Sequence, residues 1–274
     1  MARYGIPYQG SKSRIVPWIV EQLPASHTLV DIFAGGCAVT HAALLSGKWD
    51  KIIANDKTSA PQIFVDAING EFDGYSYVPT RDEFFASDDD VVKLLYSFSN
   101  NRRDYAYGKA IAPVKVAASK MLSAPSIHER RMAYKSFIEE LVSYLKDNER
   151  LQGLERLQGI QSLERIQGLD GLPVLEHLVI TGFDYRDMPI PEGAIVYADP
   201  PYANTRHDGY GSFNYDAFES WLAEGSFPVY ISEYTPPRGC VVIASRNSIC
   251  SAQANATNKT TELLCVQERF VEDE

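Results

Sequence analysis

Short apolar runs separated by helical stretches constrain this chain more than any other feature. LVDIF (29–33), KIIAN (51–55), LVIT (178–181), AIVYA (194–198), VYIS (229–232) and VVIAS (241–245) each read as a buried strand. Continuous short apolar runs suit strands covered on both faces. TELLCVQERF (261–270) is a longer strand with partial alternation. Helical stretches intervene: CAVTHAALLSG (37–47), closed by Gly47, then KTSAPQIFVDAING (57–70) and FESWLAEG (218–225). A glycine after the last helical turn is a natural stop. Strands alternating with helices predict a parallel α/β sheet.

The strand pattern stops between residues 71 and 172. DDDVVKLLYSF and HERRMAYKSFIEELVSYLKD read as helices there. The expected organisation is a catalytic domain of residues 1–70 and 173–274, interrupted by a mainly helical domain of residues 71–172. The chain has 274 residues and a net charge of −10, which taken alone argues against nucleic acid. The distribution argues the other way. Between Val91 and Lys135 nine Lys and Arg residues face only two acids, Asp104 and Glu129. A solvated helical face is the plain alternative for such a segment. No apolar run of membrane length and no signal peptide is visible, so a cytoplasmic protein is expected. The four cysteines, Cys37, Cys240, Cys250 and Cys265, are scattered without a Cys-x-x-Cys pair, so neither a metal site nor a disulfide framework is expected.

In open parallel sheets, ligands sit beyond the carboxyl ends of the strands where strand order reverses. Three strand ends here carry suitable residues. DIFAGGCAVT (31–40) places Gly35 and Gly36 between a strand and a helix start, where backbone can approach a ligand; a plain tight turn is the alternative. Asn55 and Asp56 follow the second strand, and an acid about 20 residues past a glycine turn is placed to bind ribose hydroxyls; alone it also reads as a helix N-cap. The third end is YADPPY (197–202). Proline fixes its own φ and holds the preceding residue extended. The Asp199 carboxylate and the Pro200 carbonyl thereby become fixed acceptors, with Tyr202 close behind. A flat group carrying two N–H donors suits them. The chain has neither Gly-x-Gly-x-x-Gly nor a Walker lysine motif, so a nucleoside-bearing cofactor without a bound pyrophosphate is expected.

With these motifs in order, the sequence resembles the Dam-like adenine-specific DNA methyltransferases that use S-adenosylmethionine. The resemblance covers most of the chain. It implies a Rossmann-like methyltransferase sheet with an inserted helical target-recognition domain. YQGSK (8–12) resembles the motif holding the methionine end of the cofactor, which gives that role to Tyr8, Gly10 and Lys12. DIFAGG resembles the cofactor loop and gives Asp31, Phe33, Gly35 and Gly36 to it. Asp56 takes the ribose. FDY (183–185) resembles the element against the cofactor's adenine, with Asp184 on its amine and Tyr185 on its ring. Asp199, Pro200, Pro201 and Tyr202 form the catalytic motif. Two positions depart from the family pattern: Ser11 and Cys37 stand where glycines are usual.

The expected reaction is methyl transfer to the exocyclic N6 amine of a flipped-out adenine, with double-stranded DNA as partner. Such an enzyme can be paired with a restriction enzyme. Asp199 and Pro200 accept the two amine protons and Tyr202 stacks on the base. SFSNNRRDYAYGKA (97–110) supplies the expected DNA contacts: Asn100, Asn101, Arg102, Arg103, Tyr105, Tyr107 and Lys109, with the tyrosines filling the gap left by the base. The alternatives are another amine acceptor (cytosine, an RNA base, a protein glutamine) and a catalytically dead DNA-binding relative. LQGLERLQGIQSLERIQGLDGL (151–172) carries Leu or Ile at every third position, with Arg150, Arg156 and Arg165 on a second face. This spacing predicts an ordered threefold segment, with a low-complexity linker as the alternative.

Overall fold

The computed structural model describes residues 4–147, 166, 169, 175–201, 213–249 and 259–271. Most of the 151–172 repeat, together with Arg150, lies outside them. The chain divides into two compact units: residues 1–6, 11–65 and 172–274, and residues 7–10 and 66–171.

The first unit is built on a seven-stranded sheet. Its strands are β1 (Thr28–Asp31), β2 (Lys51–Asn55), β3 (Leu178–Thr181), β4 (Ile195–Ala198), β5 (Val229–Glu233), β6 (Cys240–Ile249) and β7 (Lys259–Gln267). The order across the sheet is β3-β2-β1-β4-β5-β7-β6. All pairs from β3 to β5 are parallel, and β7 runs antiparallel to both β5 and β6. The chain winds outward from β1 to β3, then returns to build β4 and β5 on the other side of β1. That reversal makes the crevice beyond β1 and β4 the switch point of a Rossmann-like α/β sheet. The expected α/β class is therefore what the structure shows.

The strands form where they do because β1 and β4 are buried throughout. Val30, Ile32, Val196, Ala198, Ile231 and Cys265 share one core cluster with Phe218 and Leu222. Phe218 and Leu222 come from the helix Tyr215–Glu224, whose N-cap Asn214 accepts from Ala217 N. Helix α1 (Val16–Gln22) precedes β1, and α2 (Ala38–Ser46) follows it, ending at Gly47 with φ 63°. Helix α3 (Ala60–Ile68) follows β2.

The second unit is helical. Helix α4 (Arg81–Ala86) begins in a capping box of Thr80 and Glu83, and α5 (Asp90–Leu95) is capped by Asp89. Helices α6 (Ala112–Leu122) and α7 (Ile127–Asp147) follow. The helix Tyr215–Glu224 is α8. Among the described residues, no helix is long and apolar enough to cross a membrane.

Candidate active site

The switch point gathers one lysine and a set of acids. Register pairs Asp31 with Tyr197 across β1 and β4, so Asp199 stands beside the turn that follows β1. Lys12 Nζ lies 3.0 Å from Asp199 Oδ1 and 3.2 Å from Glu262 Oε1. Lys12 is 8% exposed and Glu262 2%. Burial works to lower the Lys12 pKa, but the two carboxylates beside it outweigh burial and hold it up. Burial pushes the Asp199 carboxyl up to about 6; the Lys12 charge opposes that rise and the Glu262 charge adds to it. About one fifth of the Asp199 side chain still reaches the surface, so the group is wet enough to exchange a proton. Glu233 ends β5, accepts from Tyr234 N at 2.9 Å and lies 3.4 Å from the Tyr215 hydroxyl. Burial raises it to about 7, and the Asp199 charge contributes.

The glycine turn is braced from three directions. Gly35 N donates to Asp56 Oδ2 at 2.8 Å, while Asp56 Oδ1 accepts from Thr58 N and Thr58 Oγ1. Asp31 Oδ2 accepts from Thr40 N and Thr40 Oγ1 in the first turn of α2. Burial raises Asp31 to about 7. Ile6 N donates to the Gly36 carbonyl at 2.8 Å. Asn55 ties three strand ends together: its amide donates to the carbonyls of Ile32 and Phe183, and its oxygen accepts from Phe183 N and Thr181 Oγ1.

Asp184 and Tyr185 sit beyond β3 with partners of their own. Hydrogen bonds from Arg186 and Lys57 hold the Asp184 carboxyl far below the usual carboxylate range. Tyr185 is 8% exposed, its ring 5.3 Å from Phe33 and in contact with Phe213, Phe218 and Trp221. The ring packs into the core cluster that covers this face of the sheet. Phe33 is only partly buried and forms the outer side of this cluster. Pro200 is buried and Pro201 partly so; Tyr202 lies outside the described residues.

Tyr8 and Gly10 fall in the second unit with the basic segment. The Arg102 guanidinium lies 5.6 Å from the Tyr8 ring centroid and 3.9 Å from Asp90. Ser99, Asn100 and Arg102 adopt φ of 53°, 56° and 61°, in a tight loop closed by a Ser97–Tyr105 bridge. Asn100 donates to the Leu94 carbonyl, and Asn101 binds Asp104 while accepting from the backbone of Arg103 and Asp104. Tyr105 and Tyr107, expected at the DNA, are instead 6% and 3% exposed. Their rings pack edge to face at 5.5 Å and support the loop from within. Phe98, at 55% exposure, is the outward-facing aromatic of this loop. Arg103 and Lys109 are exposed.

Glu233, Glu262 and Gly5 escaped the reading of the sequence. Glu233 had a signal: it ends an apolar run exactly parallel in kind to AIVYA. Glu262 had a weaker one, since it shares the period-2 face of Leu264 and Val266, both buried.

The sheet order defines a Rossmann-like α/β fold with a cluster of acids at its switch point. Residues 8–107 match the family model of the D12 class of N6 adenine-specific DNA methyltransferases. It is similar to the Type II methyltransferase M2.HphI of Haemophilus parahaemolyticus, with 42% identity over 52 residues. That stretch spans 19% of this chain and 15% of the relative. The structure of the rRNA methyltransferase aviRa from Streptomyces viridochromogenes aligns over 94% of this chain and 85% of its own. Its identity is 16% and the TM-score 0.37, a likeness too low to weigh on function.

Proposed function

We propose that this protein transfers a methyl group from S-adenosylmethionine to the N6 amine of adenine in double-stranded DNA. The observation that carries this reading is the Asp199 carboxylate, set between β4 and two prolines and held on one oxygen by Lys12 at 3.0 Å. The match of residues 8–107 to the D12 class supports adenine as acceptor.

The site suits the cofactor. Asp31, Asp56, Asp199, Glu233 and Glu262 are all at least largely buried, and Lys12 pairs with two of them, Asp199 and Glu262. Such a donor set favours a cationic ligand with hydroxyl groups and repels a pyrophosphate. The glycine turn offers backbone without side chains at Gly35 and Gly36. Lys12, Asp31, Phe33, Gly35, Gly36, Asp56, Asp184 and Tyr185 hold the cofactor in this reading. Asp56 already accepts three hydrogen bonds within the protein, and a carboxylate has about four acceptor sites, so one is left for a ribose hydroxyl.

When bound, S-adenosylmethionine offers a methyl group on a sulfonium sulfur; the C–S bond breaks as the C–N bond forms. Asp199 and the Pro200 carbonyl each accept one N–H of the amine, which turns the nitrogen lone pair toward the methyl. This is orientation and electrostatics rather than prior deprotonation. The amine proton becomes acidic once the methyl arrives and passes to Asp199, then to water. Tyr202 stacks on the base, a contact worth about 1–3 kcal/mol. Extruding the base costs a few kcal/mol. Arg103, Lys109 and the helical lysines and arginines offset that cost at the phosphates, and Phe98 takes the gap-filling part expected of Tyr105 and Tyr107. Arg102, Asn100 and Asn101 fix the shape of the loop that presents them. The Type II relative is consistent with a paired restriction enzyme.

Incubation with methyl-labelled cofactor and mixed-sequence DNA, followed by nucleoside analysis, tests this directly. N6-methyldeoxyadenosine is expected. Label only in cytosine, in RNA or in protein overturns it. Asp199→Ala is expected to lower transfer by about 100- to 10,000-fold while calorimetric cofactor binding persists.

A further inference from the structure

Lys12 was expected at the cofactor, and its ammonium stands between two carboxylates far apart in the chain. Asp199 comes from the end of β4 and Glu262 from β7, the antiparallel strand two places along the same sheet. Glu262 is 2% exposed, and nothing in the reaction as derived above uses it. A buried carboxylate next to another is costly unless a cation lies between them. The bridge is short on both sides, 3.0 Å and 3.2 Å.

The geometry points to Glu262 as a positioning residue: it fixes Lys12 onto Asp199 Oδ1, so that Asp199 presents its other oxygen to the substrate amine. This role rests on the methyltransferase reading of Asp199. Among the described residues, Oδ1 is the Asp199 oxygen that is engaged. An ammonium carrying one carboxylate alone can swing between its two oxygens, whereas one gripped by Glu262 cannot follow such a rotation. Glu262 acts through Lys12 and also adds negative charge beside Asp199. Both effects tie its presence to the protonation of Asp199. The other groups that bear on Asp199 are Asp31 from β1, Tyr197 within β4, Glu233 from β5 and Tyr215 from α8. None of these touches Lys12 within salt-bridge distance.

The test uses the full chain and two readouts, one of them independent of activity. Carbon-13 NMR of the aspartate carboxyls follows the Asp199 titration in the protein without cofactor, assigned by loss of the signal in Asp199→Asn. Glu262→Gln removes a neighbouring anion and one of the two carboxylates that share Lys12, so the Asp199 midpoint is expected to fall by about one pH unit. Methyl transfer by the same variant is expected to lose at least about tenfold in kcat, with cofactor Kd within about twofold and the acid limb of the pH–kcat profile moved to lower pH. Glu262→Asp keeps the charge and is expected to return the midpoint toward that of the native protein. An unmoved midpoint in Glu262→Gln, an unchanged kcat, or a Glu262→Asp protein identical to Glu262→Gln overturns the role. Should Glu262→Gln fail to fold, Lys12→Gln puts the same question from the other side: losing the bridging cation must raise the Asp199 midpoint, and no rise overturns the proposal. A native protein that methylates nothing sinks the functional reading by itself, while the titration still decides whether Glu262 governs Asp199.

Discussion

Cys37 shows how a residue can depart from a pattern without changing the backbone. It sits at φ 58° and ψ 33°, the left-handed region, at the N-cap of α2. Glycine reaches that region freely, and other residues do so at a cost of about 1–2 kcal/mol. The turn therefore keeps the conformation a glycine would give it, and the strain is borne by a fully buried side chain. Cys37→Gly relieves strain and loses a small apolar contact. Its stability to denaturant is expected to stay within about 1 kcal/mol of the native value, with cofactor binding intact. Cys37→Val keeps the burial but places a β-branched residue at positive φ, and is expected to lose about 2 kcal/mol or more. If both variants unfold at the same denaturant concentration, left-handed strain is not what governs this position.

Among elements, the N-terminal segment 4–6 matters more than its lack of regular structure suggests. Gly5 N donates to His41 Nδ1 at 2.9 Å, and a Cβ on Gly5 would lie 2.1 Å from the Gly36 carbonyl oxygen. The segment is a backing plate for the glycine turn. Gly47, at the end of α2, has a similar φ of +63° but open space around it. Gly5→Ala and Gly47→Ala thus share the conformational cost and differ in the clash. Gly47→Ala is expected to lose about 1 kcal/mol and keep cofactor affinity. Gly5→Ala is expected to lose several times more and to weaken the cofactor at least about tenfold, read by thermal unfolding and calorimetry. Equal losses would show that the contact with Gly36 is immaterial. The strands on either side of this turn were legible in the sequence because apolar runs such as KIIAN and LVIT leave few other folds open. Asp199 and the glycine turn were legible because a strand end is a local feature. Gly5, Glu262 and the inward Tyr105 and Tyr107 were not. Their roles depend on neighbours far along the chain, and an aromatic pair such as YAY reads equally as core or as binding surface.

At the scale of the whole molecule, the buried acids set how stability responds to pH. Asp31 and Glu233 titrate near pH 7 and Asp199 near 6, all above their ordinary values of 3.8 and 4.5. Between about pH 4 and 7 the folded state therefore holds more protons than the unfolded chain. Stability then falls as pH rises through that window, and levels off above it. Asp184 and Glu83, held below their usual range, oppose this only under about pH 4. The melting temperature without ligand is expected to drop from pH 5 to pH 7.5, and a cationic cofactor is expected to reduce the drop by neutralising the same acids. A melting temperature that rises across this interval would contradict the assignment of three late-titrating carboxyls. The sheet order has a further consequence, one of timing. Among the described residues β6 pairs only with β7, and β7 lies between β6 and β5. During synthesis the ten residues of β6 emerge before the strand that will anchor them. Until β7 arrives, the edge of β5 is open, β6 has no place in the sheet, and Lys12 has one carboxylate instead of two. A growing chain at this stage is thus exposed to edge pairing with its neighbours.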